Sequence, residues 1–334
     1  ISVYGFIIVI SCFLQAMFGV VQFFGFFQIS TTLWVTGSFD NPAGFAACLC
    51  AGFPFVGFLL SDSNKYIRYV GGLIGFVIVI AVILSQSRAG IMSIAFICFI
   101  LLNMKFFHKR WVKYLSLLCF ALLLSGCYWM KKDSADGRLL IWRCSVSMVK
   151  DAPWLGHGIG SFEARYMDYQ ADYFRQYGLN RYSMLADNVK HPFNEYLGVL
   201  LNFGFVGLLM ILALITLLIY CYKKHPCAEK RIAFYSLISI GVFSFFSYTF
   251  TYPFTWIVTF LCIIILTKEY IAKVFTCPII KNTVCIFILL CSFWGIYNLV
   301  KRVMAEKEWG NTSRLALCGA SGKTLPAYAE SVSY

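Results

Sequence analysis

Three polar side chains sit where an otherwise apolar chain leaves room for chemistry. Arg88 lies in Ser85-Gln86-Ser87-Arg88-Ala89-Gly90, at the end of the third apolar run, where the chain turns back within a few residues. A planar guanidinium suits phosphate oxygens better than a flexible ammonium does; the plain alternative is an arginine snorkelling to phospholipid headgroups. Arg138 lies in Asp136-Gly137-Arg138-Leu139-Leu140-Ile141-Trp142-Arg143. Ser134 or Asp136 is expected to cap a helix there, with Arg138 in its first turn and Trp142 one turn later. Taken alone, Arg138 reads as a surface arginine. His191 opens His191-Pro192-Phe193-Asn194-Glu195-Tyr196-Leu197. Proline favours the first helical position, so His191 is expected at the N-cap or beside it. There the positive end of the helix dipole disfavours imidazolium and lowers the pKa. A neutral imidazole is what a general base needs. Glu195, one turn along, is expected to orient that ring or to pull its pKa the other way.

Other candidates are weaker. The run Asp151-Ala-Pro-Trp-Leu-Gly-His-Gly-Ile-Gly-Ser-Phe162 has glycine at every second position, Gly156, Gly158 and Gly160, which lets backbone approach something closely. No strand or βαβ unit precedes it, so it is not a dinucleotide fingerprint, and a phosphate loop is set aside. His157 stands among these glycines with no evident partner, while His108 and His225 fall in basic loops and read as ordinary surface residues. Asp40 and Asn41 read as part of a turn into an apolar run, placed to face the same cavity as the other polar residues. The fourteen cysteines lie mostly in apolar runs as small hydrophobes, with no CxxC and no His/Cys spacing that fits zinc. Neither a metal nor a cofactor is expected.

The elements that must position these residues follow from composition. Of 334 residues, 60% are hydrophobic, 18% aromatic and 13% charged, and mean hydropathy is +0.74. A soluble domain carries about 25% charged residues, so the chain cannot clothe a water-soluble globule. That excludes an ordinary cytosolic enzyme, a disordered protein and a nucleic-acid-binding domain, despite a formal net charge of +13. The apolar runs indicate an all-α polytopic membrane protein. Nine stretches of spanning or nearly spanning length are expected near 3–27, 43–60, 66–85, 89–104, 112–130, 193–221, 232–250, 254–267 and 282–300.

Orientation follows from basic residues in the connections. One set carries thirteen Lys and Arg, among them Lys65, Arg68, Lys113, Lys223 and Lys224; the opposite short loops, 28–42, 85–90 and 250–254, carry only Arg88. The basic side is therefore expected in the cytoplasm, with 131–192 and 301–334 outside. Residues 131–192 hold nine of the 28 basic and seven of the 15 acidic residues. So long a connection is expected to fold, mostly as short helices over the membrane, and to carry the chemistry. The organisation expected is five transmembrane helices in 1–130, a periplasmic helical loop with catalytic elements in 131–192, four transmembrane helices in 193–300 and a periplasmic tail in 301–334, with a helix from about Leu325. The chain opens at Ile1 with no signal-peptide pattern and is expected to be a fragment, its tail truncated.

Together the pieces resemble one family. Asn41-Pro42 at the start of a span, Ser87-Arg88-Ala89-Gly90, Gly137-Arg138-x-x-x-Trp142, Asp151-x-Pro-x-x-Gly-x-Gly-x-Gly-x-Phe162, the histidine-led span and Asn202-Phe203-Gly204-Phe205-Val206-Gly207 are similar in order and spacing to the O-antigen ligase and polymerase superfamily of the Wzy-C type. The resemblance covers roughly residues 30–300. It implies a GT-C-type glycosyltransferase of the bacterial inner membrane, active on the periplasmic face, metal-independent and inverting. Its donor would be an undecaprenyl-diphosphate-linked glycan and its acceptor a hydroxyl, of lipid A–core sugar in the ligases, with membrane lipids around it and no nucleic-acid partner. The resemblance implies that Arg88 and Arg138 bind the diphosphate and His191 activates the acceptor; Glu195, Asn194, Trp142 and Asn41 are expected to support them from their places in the sequence. A polysaccharide polymerase and a protein O-oligosaccharyltransferase share that chemistry and differ in acceptor. A polytopic transporter or flippase stands further off, because transporters hold ionisable residues near the bilayer midplane and here they gather at loops.

Overall fold

A computed structural model describes residues 3–26, 35–105, 110–130, 132–274 and 278–317. Every regular element among them is helical: α1 (Val3–Phe23), α2 (Pro42–Gly52), α3 (Val56–Leu60), α4 (Lys65–Leu84), α5 (Arg88–Lys105), α6 (Arg110–Met130), α7 (Lys132–Asp151), α8 (Ser161–Tyr177), α9 (Glu195–Lys224), α10 (Ala228–Ser244), α11 (Pro253–Val274) and α12 (Pro278–Leu317), with short 3₁₀ turns between some of them. Eight of the nine apolar stretches fall chiefly on one helix each, while 43–60 is divided between α2, a 3₁₀ turn and α3. Five segments are long and apolar enough to cross a membrane: Val3–Phe23, Pro42–Leu60, Lys65–Leu84, Glu195–Lys224 and Pro253–Ala272. Arg88–Met104 and Trp111–Leu122 are apolar but shorter. His108 and the helix expected from about Leu325 lie outside the described residues. The chain divides into two compact units, Ile1–Thr267 and Lys268–Tyr334. In the second, α12 is one helix of 40 residues that runs on past the expected end at 300.

The core of the first unit is built on small residues. Asn41 caps α2 by accepting from the Gly44 N–H at 2.9 Å, and Pro42 supplies the ready-made φ of the first turn. From Gly44 to Gly52 every residue of α2 is buried, most of them Ala, Gly or Cys, so neighbouring backbones come close. Hydroxyls then tie the helices across the core. The Ser93 Oγ of α5 donates to the Ser239 carbonyl at 2.7 Å, and the Ser239 and Ser236 hydroxyls of α10 donate to the Cys50 and Ala51 carbonyls at 2.7 and 2.6 Å. A second hydrophobic cluster joins Leu140, Ile141 and Met148 of α7, Phe162 and Tyr166 of α8, and Leu201 of α9.

Helix α9 is broken. Its 30 residues would run about 45 Å, where about 20 residues suffice to span a bilayer. At Gly204 φ is 62° and ψ −159°, which interrupts the helical ladder. The run 153–158 repairs it. The His157 and Gly158 N–H groups donate to the Leu201 and Asn202 carbonyls at 2.7 and 3.1 Å, and the Phe205 and Val206 N–H groups donate to the Pro153 and Trp154 carbonyls at 2.8 and 3.2 Å. What the glycine run approaches closely is therefore this break. A Cβ on Gly156 would strike the backbone at Asn202–Gly204, and one on Gly204 would strike the Trp154 carbonyl group.

Helix α10 also ends early, at Ser244 instead of near 250. The Ser244 hydroxyl donates to Thr249 Oγ1 at 2.9 Å, and Thr255 Oγ1 contacts the Thr249 and Tyr252 carbonyls at 2.6 and 2.7 Å. These hydroxyls compete with the helical ladder and fold 245–252 into an irregular strap with a 3₁₀ turn at Thr249–Thr251. Gly204→Ala is expected to destabilise the protein by about 1–3 kcal/mol or more through backbone strain and the lost approach, read as a lower Tm in detergent. Gly72→Ala, in open space on α4, is expected to leave Tm unchanged or raise it slightly, the Ala over Gly helix preference being at most about 1 kcal/mol.

Candidate active site

The candidate residues occupy helix ends remote from Lys65, Lys224 and Lys230: Asn41 precedes α2, Arg88 opens α5, His191 precedes α9 and the strap 245–252 follows α10. Arg88 begins a helix instead of ending one. Ser87 Oγ accepts from the Gly90 N–H at 3.3 Å and so caps α5, after a turn in which Gln86 takes a left-handed φ of 52°. Arg88 Nη2 donates to Ser134 Oγ of α7 at 2.9 Å. Ser134, Asp136 and Arg138 all lie within α7 (Lys132–Asp151), so neither Ser134 nor Asp136 is at a cap.

Arg138 Nη1 donates to the Phe246 carbonyl of the strap at 2.6 Å, and its guanidinium lies 5.1 Å from the centre of the Phe193 ring. Burial first, and then the charge of Arg88, lower the Arg138 guanidinium to about 10, with the Tyr248 hydroxyl acting in the opposite sense. It therefore keeps its charge at neutral pH. One turn along α7, Trp142 Nε1 donates to the Pro192 carbonyl at 2.9 Å and tethers the residue after His191.

His191 lies three residues before the helix cap, which is Asn194; the Asn194 Oδ1 accepts from the Leu197 N–H at 3.0 Å. Phe193, between them, has a left-handed φ of 52°. In a bulky residue that conformation costs on the order of 1–3 kcal/mol, and it keeps Pro192 out of the helix. The imidazole lies against Tyr248, centroids 4.7 Å apart and planes 25° from parallel, and Tyr248 meets Phe193 edge to face at 5.3 Å. Burial lowers the His191 pKa below the ordinary value of about 6.5; the Glu163 charge opposes this and Lys190 adds to it. The direction matches the sequence expectation, but the main cause is burial and not the helix dipole. Glu195 does not orient the ring. Its Oε1 accepts from the Phe250 N–H at 2.8 Å and holds the strap.

Asn41 serves both as cap and as anchor. Its Oδ1 also accepts from the Tyr252 hydroxyl at 2.9 Å, and its Nδ2 donates to the Tyr248 hydroxyl at 3.4 Å. Two cavities meet at Val189 and Phe193. The first, about 290 Å³, is lined by Arg138, Ser134, Asp133 and Asp187; the second, about 300 Å³, by His191, Asp40, Asn41, Tyr248 and Tyr252. His157, expected to lack a partner, has two: Nε2 donates to the Met148 carbonyl at 2.7 Å, which leaves Nδ1 to accept from Arg165 at 3.0 Å. Among the described residues nothing hydrogen-bonds the ring nitrogens of His191, and no group of three or more His, Cys, Asp and Glu side chains is placed to hold a metal ion.

The sequence reading missed Tyr248 and Phe193, around which the other residues gather. The available signal was the hydroxyl-rich run Ser244-Phe-Phe-Ser-Tyr-Thr-Phe-Thr-Tyr-Pro253, which an apolar count absorbs into a span.

Fold and site together define a multi-pass, all-helical membrane protein in which Arg138 and His191 meet at one aromatic stack and the charge of Arg88 acts on Arg138. Residues 73–212 match the family described as O-antigen ligase (Wzy_C), of the O-antigen ligase superfamily. The match takes in Arg88, Arg138, His191 and both sides of the glycine joint, and leaves Asn41 and Tyr248 outside it. No curated protein matches the chain. Trp142→Phe, which removes the hydrogen bond to Pro192, is expected to cost about 1 kcal/mol, measurable as a lower Tm without loss of helical circular dichroism.

Proposed function

We propose that the chain is an O-antigen-ligase-like glycosyltransferase with a GT-C-type bundle, seated in the bacterial inner membrane with its site facing the periplasm. Its donor is an undecaprenyl-diphosphate-linked glycan and its acceptor a sugar hydroxyl of lipid A–core. The observation that carries the reading is the meeting of Arg138, within the field of Arg88, and His191 on either side of Phe193 and Tyr248, in a segment of the O-antigen ligase superfamily.

The chemistry follows from these groups. The acceptor oxygen attacks the anomeric carbon while the bond from that carbon to the phosphate oxygen breaks. The hydroxyl proton passes to a nitrogen of neutral His191, and the electron pair leaves with undecaprenyl diphosphate. Attack from the opposite face inverts the anomeric centre. The guanidiniums stabilise the charge that grows on the departing diphosphate, and their planar forks match its oxygens. That charge is what a metal would otherwise supply, so the step is metal-independent. Asp133 and Asp187, on the wall of the first cavity, repel phosphate and accept from sugar hydroxyls, which draws the diphosphate towards the arginines. Arg88 stands at a helix N-terminus, where the dipole disfavours a cation; a bound anion offsets that cost.

With lipid-linked donor and lipid A–core acceptor in nanodiscs, His191→Ala is expected to lose transfer by about 10²–10⁴-fold, the scale of a general base. Arg138→Lys, which keeps the charge and loses the fork, is expected to lose on the order of 10²-fold. Full transfer by His191→Ala removes the base from the proposal. Lipopolysaccharide, polymer length and glycoproteins compared in a deletion strain identify the acceptor: uncapped lipopolysaccharide is expected, while shortened polymer or bare glycoprotein reassigns it. Protonation abolishes the base, so kcat/KM is expected to fall as pH drops through an apparent pKa below about 6.5. A pH profile with its acid limb above that value contradicts the burial of the ring.

A further inference from the structure

A general-base histidine is ordinarily oriented by a hydrogen bond on its far nitrogen. His191 has no such partner among the described residues, and Glu195, the nearest candidate in sequence, is spent on the Phe250 N–H. What holds the imidazole is a ring. We infer that Tyr248 is a positioning residue that sets the plane of His191 through stacking and, through Phe193, fixes its distance from the Arg138 guanidinium. This rests on the transfer reading above and adds a residue to it.

Four contacts carry the inference. Tyr248 lies nearly parallel to His191 at 4.7 Å. Its ring meets Phe193 at 5.3 Å, and Phe193 in turn carries Arg138 over its face at 5.1 Å. Its hydroxyl is held by Asn41 Nδ2, and that amide is itself fixed, because Oδ1 already accepts from Gly44 and Tyr252. The strap that bears Tyr248 is clamped on both sides of it, by Arg138 at the Phe246 carbonyl and by Glu195 at the Phe250 N–H. A residue with only a packing role would not need both ends of its segment tied to site residues. Stacking also leaves both imidazole nitrogens open, as proton transfer requires. The titratable or charged groups around the ring are Lys190 beside it, Glu163 of α8, Asp40 ahead of α2, and Tyr248 and Tyr252 of the strap.

The test uses the full chain in nanodiscs with isotope-labelled histidine, the His191 signal being assigned by its loss in His191→Asn. In the wild type a parallel tyrosine ring is expected to move the His191 ring protons upfield of those of a free histidine. Tyr248→Phe keeps the ring and is expected to keep that shift and the low titration midpoint. Tyr248→Leu is expected to abolish the shift, raise the midpoint towards that of a free histidine, and cut transfer on the order of a hundredfold, the scale of a misplacement of about 1 Å. An unshifted His191 in the wild type overturns the inference whether or not Tyr248→Leu folds, as does a Tyr248→Leu protein whose His191 titrates like the wild type. Neither signal involves substrate. A shifted His191 in a protein whose His191→Ala variant remains active would sink the base assignment and leave the stack standing; an essential but unshifted His191 would do the reverse.

Discussion

The exchange of backbone hydrogen bonds at the break in α9 is the constraint from which the site's geometry follows. Four backbone groups at the break are taken up by four groups of the run 153–158, as polar groups withdrawn from water require. The fit is backbone against backbone, which is why it needs glycine on both sides. It locks the connection between α7 and α8 to the break in α9, and Leu201, beside the break, fills the cluster these helices share. Arg138 and His191 are thereby referred to one frame, although 53 positions separate them in sequence. The break also divides α9 into a short leading piece and a remainder of about 20 residues, the length a bilayer requires.

Although Asp133 and Asp187 line the same cavity as Arg138, among the described residues no acid forms an ion pair with it. Its bonded partner is the Phe246 carbonyl and its supporting surface is an aromatic face, neither of which cancels a charge. The field of Arg88 adds to burial in making the second cation harder to hold. The strain of Phe193 is found at the same place. Its left-handed backbone runs against its own preference in order to put one ring between Arg138 and Tyr248. Strain of that kind persists where the surroundings over-determine it, which is common at working sites.

The helices were legible because apolar runs of spanning length dominate the sequence; Arg88 and His191 stood out as polar side chains at the ends of such runs, and Arg138 only as part of Gly137-Arg138-x-x-x-Trp142. The rest depended on contacts between distant segments. Nothing within α9 shows that a glycine run some fifty residues upstream will replace four of its hydrogen bonds. Tyr248 reads as one more aromatic residue in an apolar stretch until the hydroxyls of Ser244, Thr249 and Thr255 are seen to pull the strap out of helix. Glu195 was paired with His191 by helical spacing, which fails because the helix starts only at Glu195 itself. Local rules placed the elements; they could not say which face of a neighbour each side chain would find.

The two histidines flanking the loop helices show how similar residues acquire different capacities. His157 spends Nε2 on a carbonyl and Nδ1 on an arginine, so its tautomer is fixed and neither nitrogen is available to a substrate. It serves the joint, its own N–H being one of the four that repair α9. His191 is held by its face instead of its edge, against a tyrosine whose hydroxyl is tied to Asn41. Burial that removes water from one face of an imidazole disfavours the charged form, while the open edge can still receive a proton. Burial holds the pKa of such a ring below the ordinary value, and among the described residues its nitrogens carry no hydrogen bond. The two histidines differ in which part of the ring the protein holds.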